Sequence, residues 1–385
     1  MIIIVFVTYL FIVALYSRFH KVPLKLYYFD FLLIIGLIGF RGYDIGSSDT
    51  IGYIDLALGN ESRYNIENVE LAFYYYSTII GRIANAGYLF LIITVFFSLY
   101  PIWYIIKKYS DNVHISLLCF FLVLNIYIMY FVCVRQIMGI SVIITAIIYV
   151  LENKPCRWLV FFALLLLGYF FHNTSLLIGL FFLVFLKIDI NRYIYICLCV
   201  ISFLFAVFNI FDDFSIIGSL FLGELTGDGT GAFSRISYYL QSDFGSEGGN
   251  NIYYYVVLTL VAISHPLLLD NARYNSIYTK MFLVGVIIHN TFHSFIEIYR
   301  FAGLFEVFGL VSISFVFFSL HNKNDDCIIK NNNLKQYWKI GLLSLLFYSY
   351  YSFFQSTSIQ LSNVNFRTNS SIVPYEFFWE DKYNY

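Results

Sequence analysis

The sequence predicts an all-α polytopic membrane protein, with about 12 transmembrane helices, two long extracytoplasmic loops and no soluble domain. Three observations predict it. Apolar residues make up 60% of the chain and charged residues 12%, against about 45–50% and about 25% in soluble domains. Mean hydropathy is +0.74. Apolar runs of spanning length recur along the chain, and they are continuous rather than alternating. Continuous runs satisfy their backbone groups as helices; a lipid-facing barrel would alternate.

The first run, MIIIVFVTYLFIVALYS, has no basic leader and no small-residue cleavage site, so it reads as a retained first helix over 1–17. Further spans are expected at 23–40, 86–106, 113–132, 135–151, 157–171, 173–187, 192–211, 251–269, 279–297, 300–320 and 337–355. Residues 70–84 suit a short helix lying in the interface. Residues 1–355 then form one helical domain, and 356–385 an extracytoplasmic tail. The six cysteines fall mostly inside apolar runs and none forms a CxxC pair, so neither a disulfide framework nor a zinc site is expected.

Basic residues in short loops set the orientation. Arg18, Lys21 and Lys25 follow the first span, Lys107 and Lys108 the third, Lys154 and Arg157 the fifth, and Lys187 and Arg192 the seventh. Arg273 and Lys280 follow the ninth, and Lys323, Lys330, Lys335 and Lys339 surround the loop before the last. Basic residues thus recur on every second connection, which places those connections in the cytoplasm and both termini outside. Every lysine but Lys382 falls on the cytoplasmic side, whereas the outer side is marked by arginine. Lysine marks topology; arginine is the better bidentate ligand for phosphate and carboxylate. Two outer segments, 41–71 and 212–250, are long, polar and Gly-rich, as a mobile cover over a site would be. No internal repeat is visible, which disfavours transporters built from related halves.

Arg135 is the only fixed charge among the forty residues between Asp111 and Glu152. Near hydrocarbon such a charge costs several kcal/mol unless it meets an anion or water. Arg41 ends the second span and is followed by Asp44, Asp49 and Tyr53; Glu70 opens the next membrane segment. Gln136 follows Arg135, His172 begins a His-Asn-Thr-Ser turn, and Arg235 lies in the second long loop. His289, His293 and Glu297 recur every fourth residue, with Arg300 three further on. That spacing gives one helical face, read as a polar stripe along a water-filled cavity in preference to a metal site. Each arginine has a plainer reading as a headgroup anchor, and His172 as a turn cap. Together, Arg41, Arg135, Arg235 and Arg300 on one membrane face suit a membrane-embedded diphosphate, held and stabilised as a leaving group. His172 or a carboxylate, Asp49 or Glu297, would take a proton from an acceptor hydroxyl. Interface tyrosines suit sugar faces.

The order of these motifs resembles the EpsG/Wzy group of polysaccharide polymerases. Arg41 followed by Gly46-Ser47-Ser48-Asp49-Thr50-Ile51-Gly52-Tyr53 is similar to that group's Arg then Gly-x-Asp-x-x-x-Tyr segment, with a spacing one residue longer than its Gly-Thr-Asp form. Glu70 stands where the group has an acidic residue before the next helix. Val134-Arg135-Gln136 and Phe171-His172-Asn173-Thr174-Ser175 resemble its Arg-Gln and Phe-His-x-Ser pairing, and Arg300-Phe301 its late Arg-Phe. The resemblance implies a polymerase that joins undecaprenyl-diphosphate-linked oligosaccharide repeat units at the periplasmic face of the bacterial inner membrane. The product would be O-antigen, capsule or exopolysaccharide. It implies no cofactor, no metal and no nucleic acid; the partners are the lipid-linked oligosaccharide and the bilayer, with a chain-length regulator left open. A lipid-linked oligosaccharide flippase and an O-antigen ligase are the alternatives.

Overall fold

The computed structural model describes residues 2–42, 48–62, 64–66, 69–124, 126–208, 252–292, 296–318, 327–329 and 331–362. Among them there are α-helices and no strand. The helices are α1 (Ile2–Ser17), α2 (Leu24–Gly39), α3 (Ser48–Leu58), α4 (Leu71–Ala84), α5 (Gly87–Tyr109), α6 (Val113–Leu122), α7 (Ile126–Val132), α8 (Val134–Leu151) and α9 (Arg157–Phe171). They continue as α10 (Ser175–Phe185), α11 (Arg192–Val207), α12 (Ile252–Leu268), α13 (Asn271–Tyr274), α14 (Ile277–Thr291), α15 (Ile296–Glu306), α16 (Gly309–Phe318) and α17 (Asn332–Ser362).

α5 and α8 are each long and apolar enough to cross a bilayer alone. Other apolar helices have 10–17 residues, and a helix of about 16 residues reaches only about 24 Å, short of a hydrocarbon core of about 30 Å. The described residues are all-helical as expected, and the count of spans is not fixed by helix length.

Several expected boundaries move. The expected fourth span is two helices, α6 and α7, because the chain breaks after Leu122 and the Leu124 N–H reaches back to the Cys119 carbonyl at 3.0 Å. The segment 41–71 is not all loop. It contains α3, which buries Thr50, Tyr53, Ile54 and Ala57 at helical spacing. The expected helix over 279–297 ends at Thr291, with Phe292 as its cap, so Glu297 starts the next helix and does not share a helical face with His289. His293 and the segment 212–250, including Arg235, lie outside the described residues. The last helix runs through Ser362, past the expected start of the tail.

The surface is apolar where a soluble protein's is polar. α9 exposes Leu159, Phe162 and Leu166, and α11 exposes Tyr193 and Ile194. The interior meanwhile buries Asp30, Arg41, His114, Lys280, His289 and Glu306. This inversion is what lipid as solvent demands. The buried polar groups find each other. Tyr9 donates to Asp30 at 2.9 Å and His114 lies 3.3 Å from the same carboxylate, tying α1, α2 and α6 together. His289 Nδ1 lies 2.8 Å from Glu306 Oε1, where Gly285 lets α15 come close to α14.

α8 packs against α5, α9 and α10. At its C-terminal end Glu152 accepts from Tyr104 at 2.7 Å and pairs with Lys108 and Lys154. Burial raises the Glu152 carboxyl, but the hydrogen bonds from Lys108, Tyr104 and Lys154 outweigh it and hold it at about 2. At the N-terminal end, a small apolar core of its own gathers Tyr53, Ile54, Val69, Phe73, Phe90, Val134, Met138 and Phe171. That core joins α3, α4, α5, α8 and the end of α9, and it carries the site.

Candidate functional site

Arg135 is the second residue of α8, whose N-cap, Cys133, makes no side-chain capping bond. A cation is disfavoured at the positive end of a helix and an anion favoured. The guanidinium at the positive end of α8 therefore favours an anion beside it. In the structure Glu70 supplies the anion: Arg135 Nη1 donates to Glu70 Oε2 at 2.6 Å, and Nε donates to the Tyr53 hydroxyl at 2.8 Å. Among the described residues Nη2 takes no partner. The Arg135 Cζ lies 5.5 Å from the Tyr53 ring and 5.7 Å from the Tyr64 ring, within cation–π range. The two rings stack at 4.6 Å.

Glu70 occupies the N-cap of α4 without capping it. Its other oxygen, Oε1, lies 3.2 Å from His172 Nδ1. His172 ends α9 with extended backbone (φ −163°, ψ 124°), and the Ser175 hydroxyl and N–H both bond its carbonyl, at 2.7 and 3.0 Å. The approach of α9 to α8 depends on two glycines. A Cβ on Gly139 would lie 3.2 Å from the Cβ atoms of His172 and Ser175, and a Cβ on Gly168 would collide with Ile143. Gly139 follows Arg135 by four residues, so the face that presents Arg135 also admits His172. The side chains of Arg135, Glu70 and His172 are 23%, 15% and 17% exposed: desolvated enough to strengthen the pairing, open enough to be reached.

Arg41 is wholly buried and turned inward. Its Nη1 donates to the Tyr130 carbonyl at 2.7 Å and its Nη2 to the Thr50 hydroxyl at 3.2 Å and the Phe131 carbonyl at 3.5 Å, with the Phe131 ring 4.8 Å away. It thus covers the last carbonyls of α7, the negative helix end beside the break at Cys133. Gln136 is buried, and its Oε1 has no hydrogen-bond partner among the described residues. Asp49 lies on α3 one turn before Tyr53, and Glu297 and Arg300 lie on α15; their side chains are outside the described set. α15 packs on α7 through Gly303, which abuts Met129. The structure thus brings together Arg135, Glu70, His172 and Tyr53. It adds Tyr64, Gly139 and Gly168, which the sequence reading missed; the signal available was Gly139 falling one turn after Arg135.

An apolar groove of about 460 Å³ opens beside the cluster, lined by Tyr76, Phe97, Tyr100, Met138, Val142 and Phe171 among others. Among the described residues no group of three His, Cys, Asp or Glu side chains could hold a metal ion.

Apolar outer surface and apolar helices of spanning length define a helical membrane protein, and a half-buried Arg–Glu–His cluster lies at one end of a spanning helix. The chain belongs to the EpsG family, whose model matches residues 24–377. That membership gives it, in broad terms, a role of the polysaccharide-polymerase type. Comparison with curated proteins and with solved structures gives no match.

Proposed function

We propose that the chain is a glycosyltransferase that joins undecaprenyl-diphosphate-linked oligosaccharide repeat units at the outer face of the bacterial cytoplasmic membrane. The observation that carries this reading is the Arg135–Glu70–His172 cluster at the N-terminus of α8. The donor diphosphate displaces Glu70 from Arg135 and takes the guanidinium and the first-turn amides as its ligands. The acceptor hydroxyl oxygen attacks the anomeric carbon of the donor. The bond from that carbon to the diphosphate breaks, and the diphosphate leaves on its lipid with its charge held by Arg135. The hydroxyl proton passes to His172. Glu70 beside Nδ1 favours the tautomer protonated there, so Nε2 is the base. The groove beside Phe171 takes the polyprenyl chain. Arg300, Arg235, Asp49 and Glu297 belong to the same site in this reading, as does the twelve-span arrangement with the lysine-marked end of α8 in the cytoplasm.

The test is chain-length profiling of the surface polysaccharide in a strain carrying Arg135→Ala or Arg135→Lys, with membrane protein levels matched. Ala abolishes long chains, and Lys restores them poorly, because a point charge does not replace a fork of donors. Long-chain polymer of normal length in the Ala strain overturns the assignment. Single repeat units still reach the surface in that strain, as they would not if the chain were a flippase.

A further inference from the structure

A second cavity, of about 560 Å³, opens between the end of α3, the segment after it and one face of α4. Small-molecule sites run from about 300 to about 1,000 Å³. Its wall is polar and aromatic: Asn60, Asn65, Tyr64, Tyr74, Arg82 and Asn85 line it. Asparagine presents a donor and an acceptor together, which matches a sugar hydroxyl, and tyrosine adds a flat ring face to its hydroxyl. Gly81 leaves no room for a side chain against the Ala57 backbone, so α3 and α4 meet closely and fix the width of the cavity.

The cavity adjoins the Arg135 cluster through one shared side chain. Tyr64 belongs to its wall, and the same ring stacks on Tyr53 and faces Arg135. The Tyr74 N–H bonds the Glu70 carbonyl at 3.0 Å. α4 divides the two hollows. Tyr74, Thr78, Arg82 and Asn85 recur at helical spacing and line the polar cavity, whereas Tyr76 and Ile80, on the opposite face, line the apolar groove. An apolar hollow, a cationic cluster and a hydroxyl-matching hollow thus follow one another, in the order of a lipid chain, a diphosphate and a saccharide.

We propose that the α3–α4 cavity is a saccharide-binding subsite, taking the sugars nearest the diphosphate of the lipid-linked oligosaccharide. This deepens the polymerase reading and rests on it for the position of the diphosphate.

The test uses the full chain in lipid nanodiscs and, as probe, oligosaccharides released by mild acid from the surface polysaccharide of the strain that makes the protein, free of lipid and phosphate. Saturation-transfer NMR and calorimetric titration read the binding. The native protein binds the probe. Tyr74→Ala and Asn65→Ala weaken binding by about fivefold or more, as loss of one ring face or one amide would. Thr78→Trp, which fills the cavity while leaving its asparagine and tyrosine side chains in place, abolishes it. Asn60→Ala, at an exposed position, serves should Tyr74→Ala fail to elute as a single species. No binding to the native protein, or binding indifferent to Thr78→Trp, overturns the subsite. If binding is absent while Arg135→Ala still shortens the surface polymer, the subsite falls and the polymerase reading stands. If the probe binds in the cavity while Arg135→Ala leaves polymer length normal, the saccharide site stands and the polymerase reading falls.

Discussion

Arg41 sends its guanidinium into the protein, to the carbonyls that end α7, whereas Arg135 shares its own with Glu70 and Tyr53 at a half-open helix start. Their substitutions should therefore differ in kind. Arg41→Met strands buried carbonyls, each costing about 1–3 kcal/mol. It should lower the melting temperature and the yield of the purified protein, and a melting temperature equal to the native one would rule out the inward role. Arg135→Ala should leave the melting temperature nearly unchanged and remove long-chain polymer. Glu70 and His172 act through one contact, so their effects should not add. Glu70→Gln and His172→Ala should each lower the polymerisation rate by about 100-fold or more, and the double variant no further. A double variant worse by the product of the two would mean independent roles. At this scale the sequence exposed Arg135, Glu70 and His172 by residue type and order. It did not expose their pairing, because Glu70 and Arg135 are sixty-five positions apart and only the packing of α4 on α9 and α8 on α9 brings them together.

The spacing of α8 from α9 rests on Gly139 and Gly168. Gly139→Leu should push α9 outward at a cost of about 1–3 kcal/mol for overpacking. His172 sits at the contact, so polymer length should suffer more than thermal stability does. A Gly139→Leu protein with native chain-length distribution would show that the approach of the helices does not position His172. α3 shows how an element can hide in a sequence. Its Gly and Asp residues and polar flanks read as loop, yet Thr50, Tyr53, Ile54 and Ala57 fall at helical intervals. Eleven residues make no stable helix alone; α3 holds because α4 and α5 cover it. The broken spans have a related cause. Apolar composition resumes on both sides of Asn125, whereas α6 already ends at Leu122, so hydropathy merged α6 and α7.

Across the whole molecule, α8 separates two chemically different ends. Arg135, Glu70 and His172 gather at one, Glu152 with Lys108 and Lys154 at the other. Eighteen residues set them about 27 Å apart, so the two ends face opposite sides of a bilayer that α8 crosses. Cys156 offers a handle on which side is which. It is exposed and free in the turn between α8 and α9, beside Lys154. In a variant keeping Cys156 as its only cysteine, a membrane-impermeant maleimide should fail to label intact cells and should label permeabilised ones. Labelling in intact cells would invert the orientation and move the Arg135 cluster to the cytoplasm.

Composition by itself determined a helical membrane protein, because a chain that is 60% apolar and 12% charged has too little polar surface to face water and must satisfy its backbone internally in lipid. Motif order by itself placed the chain with the EpsG family, since short signatures keep their sequence positions whatever the packing. What only the tertiary structure decided is the division of labour among the charges. Arg41 is turned inward, Arg135 shares Glu70 with His172, and α4 parts a polar cavity from an apolar groove. The physical reason is that a charge takes its role from the groups within a few ångströms of it, and here those groups come from helices distant in sequence.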